Sequence, residues 1–120
     1  MKVLVVDDEQ DVVKLVQARL KAAGYDVIAA YDGNEGLSKA RTEKPDLIIL
    51  DLMLPKIDGY QVCRLLKFDI NTVKIPIIMF TARAEESDRE QGFKVGADAY
   101  ITKPFEPEVL LGKIRELIKK

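Results

Sequence analysis

Residues 47–59 read LIILDLMLPKIDG. Four apolar residues, Leu47 to Leu50, run directly into Asp51, and apolar residues resume after it. Such a run, with no polar alternation, predicts a strand buried on both faces, the kind a parallel sheet contains. A carboxylate at the tip of a core strand is costly unless something pairs with it. Asp51 therefore needs partners from elsewhere in the chain.

Extended to 46–51 (DLIILD), this stretch is one of five apolar runs. The others are KVLVVD (2–7), DVIAA (26–30), IPIIMF (75–80) and DAYIT (98–102). Helical periodicity fills the gaps. In DVVKLVQARLKAAG, Val12, Val16, Leu20 and Ala23 make one stripe, and Gly24 sits where a left-handed C-cap belongs. GNEGLSKARTEK predicts a second helix that stops before Pro45. In GYQVCRLLKFD, Val62, Leu65 and Leu66 share a side. The polar stretch EESDREQGFKVGAD has Phe93 and Val95 as its apolar anchors, with Gly92 inside it at about 1 kcal/mol relative to alanine. The last helix, PEVLLGKIRELIKK, opens with Pro107, carries Leu110, Ile114, Leu117 and Ile118 as its stripe, and closes with Lys119 and Lys120. Strands alternating with helices predict right-handed crossovers and a parallel sheet between two helical layers.

Composition narrows the function. The 120 residues suit one domain, 1–120, with 20 acidic and 19 basic side chains and a formal charge of -1. That balance offers no broad basic field for nucleic acid. Cys63 is the one cysteine, so no disulfide forms within the chain and a reducing compartment is expected. No apolar run approaches membrane-spanning length, and MKVLVVDDEQ lacks a signal-peptide cleavage site, so the expected location is the cytoplasm. There is no histidine. Histidine general-base catalysis, a Ser-His-Asp triad, a histidine metal ligand and a phosphohistidine on this chain are all excluded.

In a parallel sheet, sites form at the carboxyl ends of the strands. Here those ends carry Asp7-Asp8, Asp51, Thr81-Ala82 and Lys103-Pro104. Three carboxylates brought together repel, and Lys103 offsets only one of them. A hard, oxygen-preferring divalent cation would neutralise the rest, and magnesium fits best, with manganese as an alternative ion. Asp51, alone at the tip of the middle run, is the candidate nucleophile, since an aspartate that attacks phosphorus becomes an aspartyl phosphate. The cation, Lys103 and the Thr81 hydroxyl would supply the positioning and charge neutralisation that phosphoryl transfer asks for.

The set VVDDE, LIILDLMLPKIDGY, IIMFTA and DAYITKPF, in this order and spacing, resembles the receiver domain of two-component response regulators, of chemotaxis-regulator type. The resemblance covers essentially the whole chain. It implies a three-layer, doubly wound, flavodoxin-like (βα)5 α/β fold, with a five-stranded parallel sheet of order 2-1-3-4-5. It implies a signalling domain and not a turnover enzyme, one that assists its own phosphorylation and slow dephosphorylation. Asp51 would accept the phosphoryl group from a phosphohistidine on a sensor histidine kinase. Asp8, Asp51 and the Met53 backbone carbonyl would ligate magnesium, with Asp7 holding a metal-bound water. Lys103 and Thr81 would contact the phosphoryl group, with backbone amides of Met53 and Ala82 as further donors. The Lys103–Pro104 bond would be cis. Thr81 and Tyr100 would form a switch acting on the fourth helix, fifth strand and fifth helix, the surface through which relatives also homodimerise. A DNA-binding output domain or a docked target protein would read that surface.

Other readings of the same residues stay open at this level. Asp7, Asp8 and Glu9 can cap the first helix, and Thr81 the fourth. Tyr100 can be ordinary aromatic packing. Cys63 reads as a small core residue, and Lys56 and Asp58 as turn chemistry. Among functions, a receiver-like interaction scaffold that is never phosphorylated is the main rival. A flavodoxin-type binder would want a Ser/Thr/Gly-rich loop where DDEQD stands, and an aspartyl-phosphate phosphatase would want an acid at position 53, where Met stands.

Overall fold

A computed structural model describes residues 1–118. Five strands alternate with five helices: β1 (Lys2–Val6), α1 (Gln10–Ala22), β2 (Asp26–Ala30), α2 (Gly33–Glu43), β3 (Leu47–Leu50), α3 (Gly59–Phe68), β4 (Ile77–Thr81), α4 (Glu86–Lys94), β5 (Ala99–Thr102) and α5 (Pro107–Ile118). All strand pairs are parallel, and the sheet order is β2-β1-β3-β4-β5, as the motifs implied. Each apolar run of the sequence coincides with one strand, although β4 begins two residues into its run of 75–80 and ends one residue past it, at Thr81. Lys119 and Lys120, expected to close α5, lie outside the described residues.

Because successive strand residues face opposite ways, each strand feeds two cores. Leu4, Val6, Ile48, Leu50, Ile77 and Met79 pack on one face with side chains of α2 and α3. Val3, Val5, Leu47, Ile49, Ile78 and Phe80 pack on the other with α1 and α5. Each fully buried side chain of this size stabilises the fold by about 1.5–3 kcal/mol. The register aligns Val6 with both Ala30 and Leu50, and Thr81 with Thr102, so the strands end together at one edge.

Several helix faces differ from the sequence expectation. In α1 the buried stripe is Val13, Val16 and Leu20; Val12 lies at its margin, and Ala23 is the exposed C-cap. After it, Gly24 takes a φ of 94°, with its N–H bonded to the Lys21 carbonyl and that of Tyr25 to the Leu20 carbonyl. Those two bonds are the Schellman closure that a C′ glycine permits. In α3, Cys63 takes the inner position and Leu65 is 44% exposed, because Gly59, Val62, Cys63 and Leu66 fall on the face toward the sheet. In α4, Phe93 is 48% exposed, and Val95, just past the helix, is the apolar anchor. In α5 only Leu110 and Ile114 are fully inside, with Leu117 and Ile118 partly covered. Among the described residues, no helix is long and apolar enough to cross a membrane.

Candidate functional site

The strand ends gather the polar residues. Ladder bonds carry the backbone past the strands: the Asp7 N–H donates to Ala30 and the Asp51 N–H to Val6, both at 3.0 Å, and the Lys103 N–H to Thr81 at 2.8 Å. After Asp51 the chain turns back sharply, with the Gly59 N–H bonded to the Leu52 carbonyl at 2.9 Å. A side chain at position 59 would collide with the Asp51 carbonyl oxygen and sit 2.7 Å from the Leu52 Cα. Glycine is needed because α3 begins directly against the acidic turn. Asp58 caps that helix, its Oδ1 accepting from the Gln61 N–H at 3.0 Å, and Lys56 adopts a φ of 72° in the turn.

Asp7 and Asp51 are 1% and 3% exposed, and Asp8 stands at the solvent edge. Carboxylate oxygens of all three lie within 4.8 Å of one another. The Lys103 ammonium donates to Asp7 Oδ2 at 2.7 Å, Glu9 Oε1 at 3.0 Å and Asp51 Oδ2 at 3.4 Å. Asp51 Oδ1 accepts from the Met53 N–H at 3.3 Å, and Asp7 Oδ1 from the Glu9 N–H at 2.9 Å. The Lys103–Pro104 peptide bond is cis. A cleft of about 240 Å³ opens over these groups, bordered by Asp8, Asp51, Met53, Thr81, Ala82 and Lys103.

Burial raises the Asp7 pKa above the usual carboxylate value, against the lowering effect of its bonds from Lys103 and Glu9. Burial also disfavours the Lys103 charge, but the bonds to Asp7 and Glu9 and the charge of Asp51 outweigh it and raise the lysine above its ordinary value. The site is thus a dense set of oxygen donors with one fixed cation. Its donors are all oxygen, without imidazole or thiolate, which suits a hard divalent ion such as magnesium.

Thr81 is fully buried, and its Oγ1 accepts from the Arg83 N–H at 3.3 Å. It does not cap α4, whose N-cap is Glu85 without a side-chain bond. Tyr100 is 6% exposed, and its hydroxyl donates to the Arg83 carbonyl at 2.7 Å. One residue's backbone therefore joins the two side chains, a link that the sequence does not announce. Glu9, read from the sequence only as a possible cap, makes no capping bond at the start of α1 and instead reaches Lys103. The signal for it was the third acid in VVDDE, directly after the strand.

An open α/β sheet with an acidic, lysine-bridged pocket at its switch point defines a class, and the family comparison agrees: residues 3–115 match the response regulator receiver domain, to which this chain belongs. It is a receiver domain of the two-component response regulators. The alkaline phosphatase synthesis transcriptional regulatory protein PhoP of Bacillus subtilis (strain 168) is 50% identical over 119 residues, which are 99% of this chain and 49% of the relative. The DNA-binding dual master transcriptional regulator RpaA of Synechocystis is 46% identical over 99% of this chain and 49% of its own length. The chain spans about half the length of these curated relatives. Among solved structures, a response regulator from Chloroflexus aurantiacus superposes with a TM-score of 0.95 at 36% identity, covering 99% of this chain and 98% of the other. The receiver domain of the sensor histidine kinase PA1611 of Pseudomonas aeruginosa, solved with magnesium coordinated in its active-site cleft, gives 0.92 at 31%, covering 99% and 98%.

Proposed function

We propose that Asp51 is the phosphoacceptor and that its donor is a phosphohistidine on a sensor kinase, since this chain has no histidine of its own. One observation carries the reading: the Lys103 ammonium bridges Asp7 and Asp51 beside a third carboxylate, in an open cleft. An Asp51 carboxylate oxygen bonds to phosphorus as the phosphorus–nitrogen bond breaks, and the electron pair stays on the donor imidazole. Asp8, Asp51 and the Met53 carbonyl would hold magnesium or manganese, with Asp7 acting through water. The bound ion would neutralise charge on the carboxylates and on the phosphoryl oxygens.

Lys103 fixes a positive charge where the incoming oxygens would settle, and Met53, Thr81 and Ala82 border the same cleft, where the Met53 and Ala82 amides and the Thr81 hydroxyl would serve as donors. The phosphoryl group adds nearly one more negative charge and further acceptor oxygens. Thr81 then exchanges the Arg83 N–H for the phosphoryl group. The Arg83 backbone passes that change to Tyr100, and so to α4, β5 and α5. A DNA-binding output domain or target protein reads this surface, directly or through a phosphorylation-dependent homodimer. The receiver itself does not touch nucleic acid.

Incubation with magnesium and acetyl phosphate is expected to add one phosphoryl group, read by intact mass. Asp51→Asn is expected to stay unmodified. Labelling that survives this substitution, or that proceeds with the divalent ion chelated, overturns the assignment.

A further inference from the structure

Gly92 is the one buried residue within α4. Glycine is a poor helix former, and alanine would serve the helix better. Backbone freedom does not explain it, because Gly24 and Gly96 are the glycines with positive φ, and Gly92 keeps ordinary helical geometry. What a side chain would meet does explain it. A Cβ built at Gly92 lies 3.2 Å from Cδ2 and 3.3 Å from Cε2 of the Tyr100 ring, and 3.6 Å from Met79 Cγ. The first two distances are tighter than a Cβ ordinarily takes, so the ring would have to give by a few tenths of an ångström. The rest of the ring's surroundings are already committed. The Arg89 guanidinium lies 5.1 Å from the ring centroid, and the hydroxyl is held by the Arg83 carbonyl.

We propose that Gly92 is a positioning residue of the switch: the missing side chain on the inner face of α4 is the socket that lets the Tyr100 ring lie inward. The inference rests on the reading of Tyr100 as the switch aromatic and adds the element that permits its inward state. A methyl group at position 92 presses on an inward ring whose face and hydroxyl are already held, and the ring relieves that crowding by turning outward. A chain with alanine there therefore holds Tyr100 outward, breaks its bond to Arg83 and detaches α4 from the signal.

The test uses the unphosphorylated chain labelled with ¹³C-tyrosine, whose four tyrosines give four ring signals. The Tyr100 signal is identified by its loss in Tyr100→Phe. In Gly92→Ala this signal is expected to move to the position of a solvent-exposed tyrosine, while Tyr25 and Tyr31 stay where they are. An unmoved Tyr100 signal overturns the proposal. Urea unfolding supplies the second arm. Helix propensity alone predicts that Gly92→Ala raises the midpoint equally whether or not the ring is present. The socket predicts a rise only in the Tyr100→Ala background, and an equal rise in both backgrounds overturns it. Acetyl phosphate labelling of Asp51 is followed separately. Its failure removes the acceptor reading and leaves the ring result to decide this one.

Discussion

Helices α3 and α4 have nearly the same length and opposite attachments. α3 buries Gly59, Val62, Cys63 and Leu66, and starts on a side-chain cap from Asp58. α4 buries Gly92 alone and starts at Glu85 without such a cap. Beyond the Val95 anchor past its end, α4 is held by two tyrosine hydroxyls, that of Tyr60 on the Asp88 carbonyl at 3.1 Å and that of Tyr100 on the Arg83 carbonyl just before the helix. The difference divides the labour. α3 follows the turn that carries Asp51, the proposed acceptor, and a reacting group must be held still. α4 flanks the proposed readout, and a switch is drawn from the weakly anchored end of a fold.

The sharpest way to break this comparison is at the α3 start. Gly59→Ala places a methyl group against the Asp51 carbonyl and the Leu52 backbone, neither of which is a flexible side-chain tip. A loss of about 3 kcal/mol in urea unfolding is expected, together with slower phosphoryl labelling as the acidic turn shifts. A loss under about 1 kcal/mol would mean that the turn yields easily and that α3 is no firmer than α4.

A smaller effect tests how well the α3 side is sealed. Cys63 is buried with its thiol on the Val95 carbonyl, and burial pushes its pKa up to about 11 from 9.0. Below pH 9 the thiol is protonated in both the folded and unfolded chains and contributes no slope. Between 9 and 11 the unfolded chain releases the proton and the folded chain keeps it, so stability falls as pH rises. Cys63→Ala is expected to make that alkaline decline shallower when urea midpoints at pH 8 and pH 10 are compared. Equal slopes would show a thiol that titrates freely, and hence a loose α3.

What the sequence reveals follows the same division. The five strands are legible because unbroken Val/Ile/Leu runs admit few other structures, and the sheet edge then brings Asp7, Asp51 and Lys103 together. The turn of each helix about its axis is less legible. Leu65 and Cys63 are both apolar, and only the packed sheet decides which points inward. Phe93 reads as an anchor because it is large and apolar, yet α4 leaves it half exposed. The Arg83 bridge was invisible for a different reason: its N–H and carbonyl belong to the backbone, and no letter of the sequence marks them. Gly92 looks like a local flaw until the ring beside it is seen.

The smallest expected effect is also the most direct test of the contrast. Phe93→Ala removes a large apolar side chain from α4, and in a core position that change would cost about 3–5 kcal/mol. At 48% exposure, on a helix that packs through its glycine, it is expected to change stability by no more than about 0.5 kcal/mol. Leu66→Ala in α3, fully buried among Val62, Cys63 and Met79, is the matched control and is expected to lose about 2–5 kcal/mol. Native-state hydrogen exchange on the unsubstituted chain carries the contrast to the backbone: α4 amides are expected to exchange before those of α3. If Phe93→Ala proves as damaging as Leu66→Ala, α4 is anchored through that ring. Its attachment by two hydroxyls and a glycine socket would then no longer describe the helix.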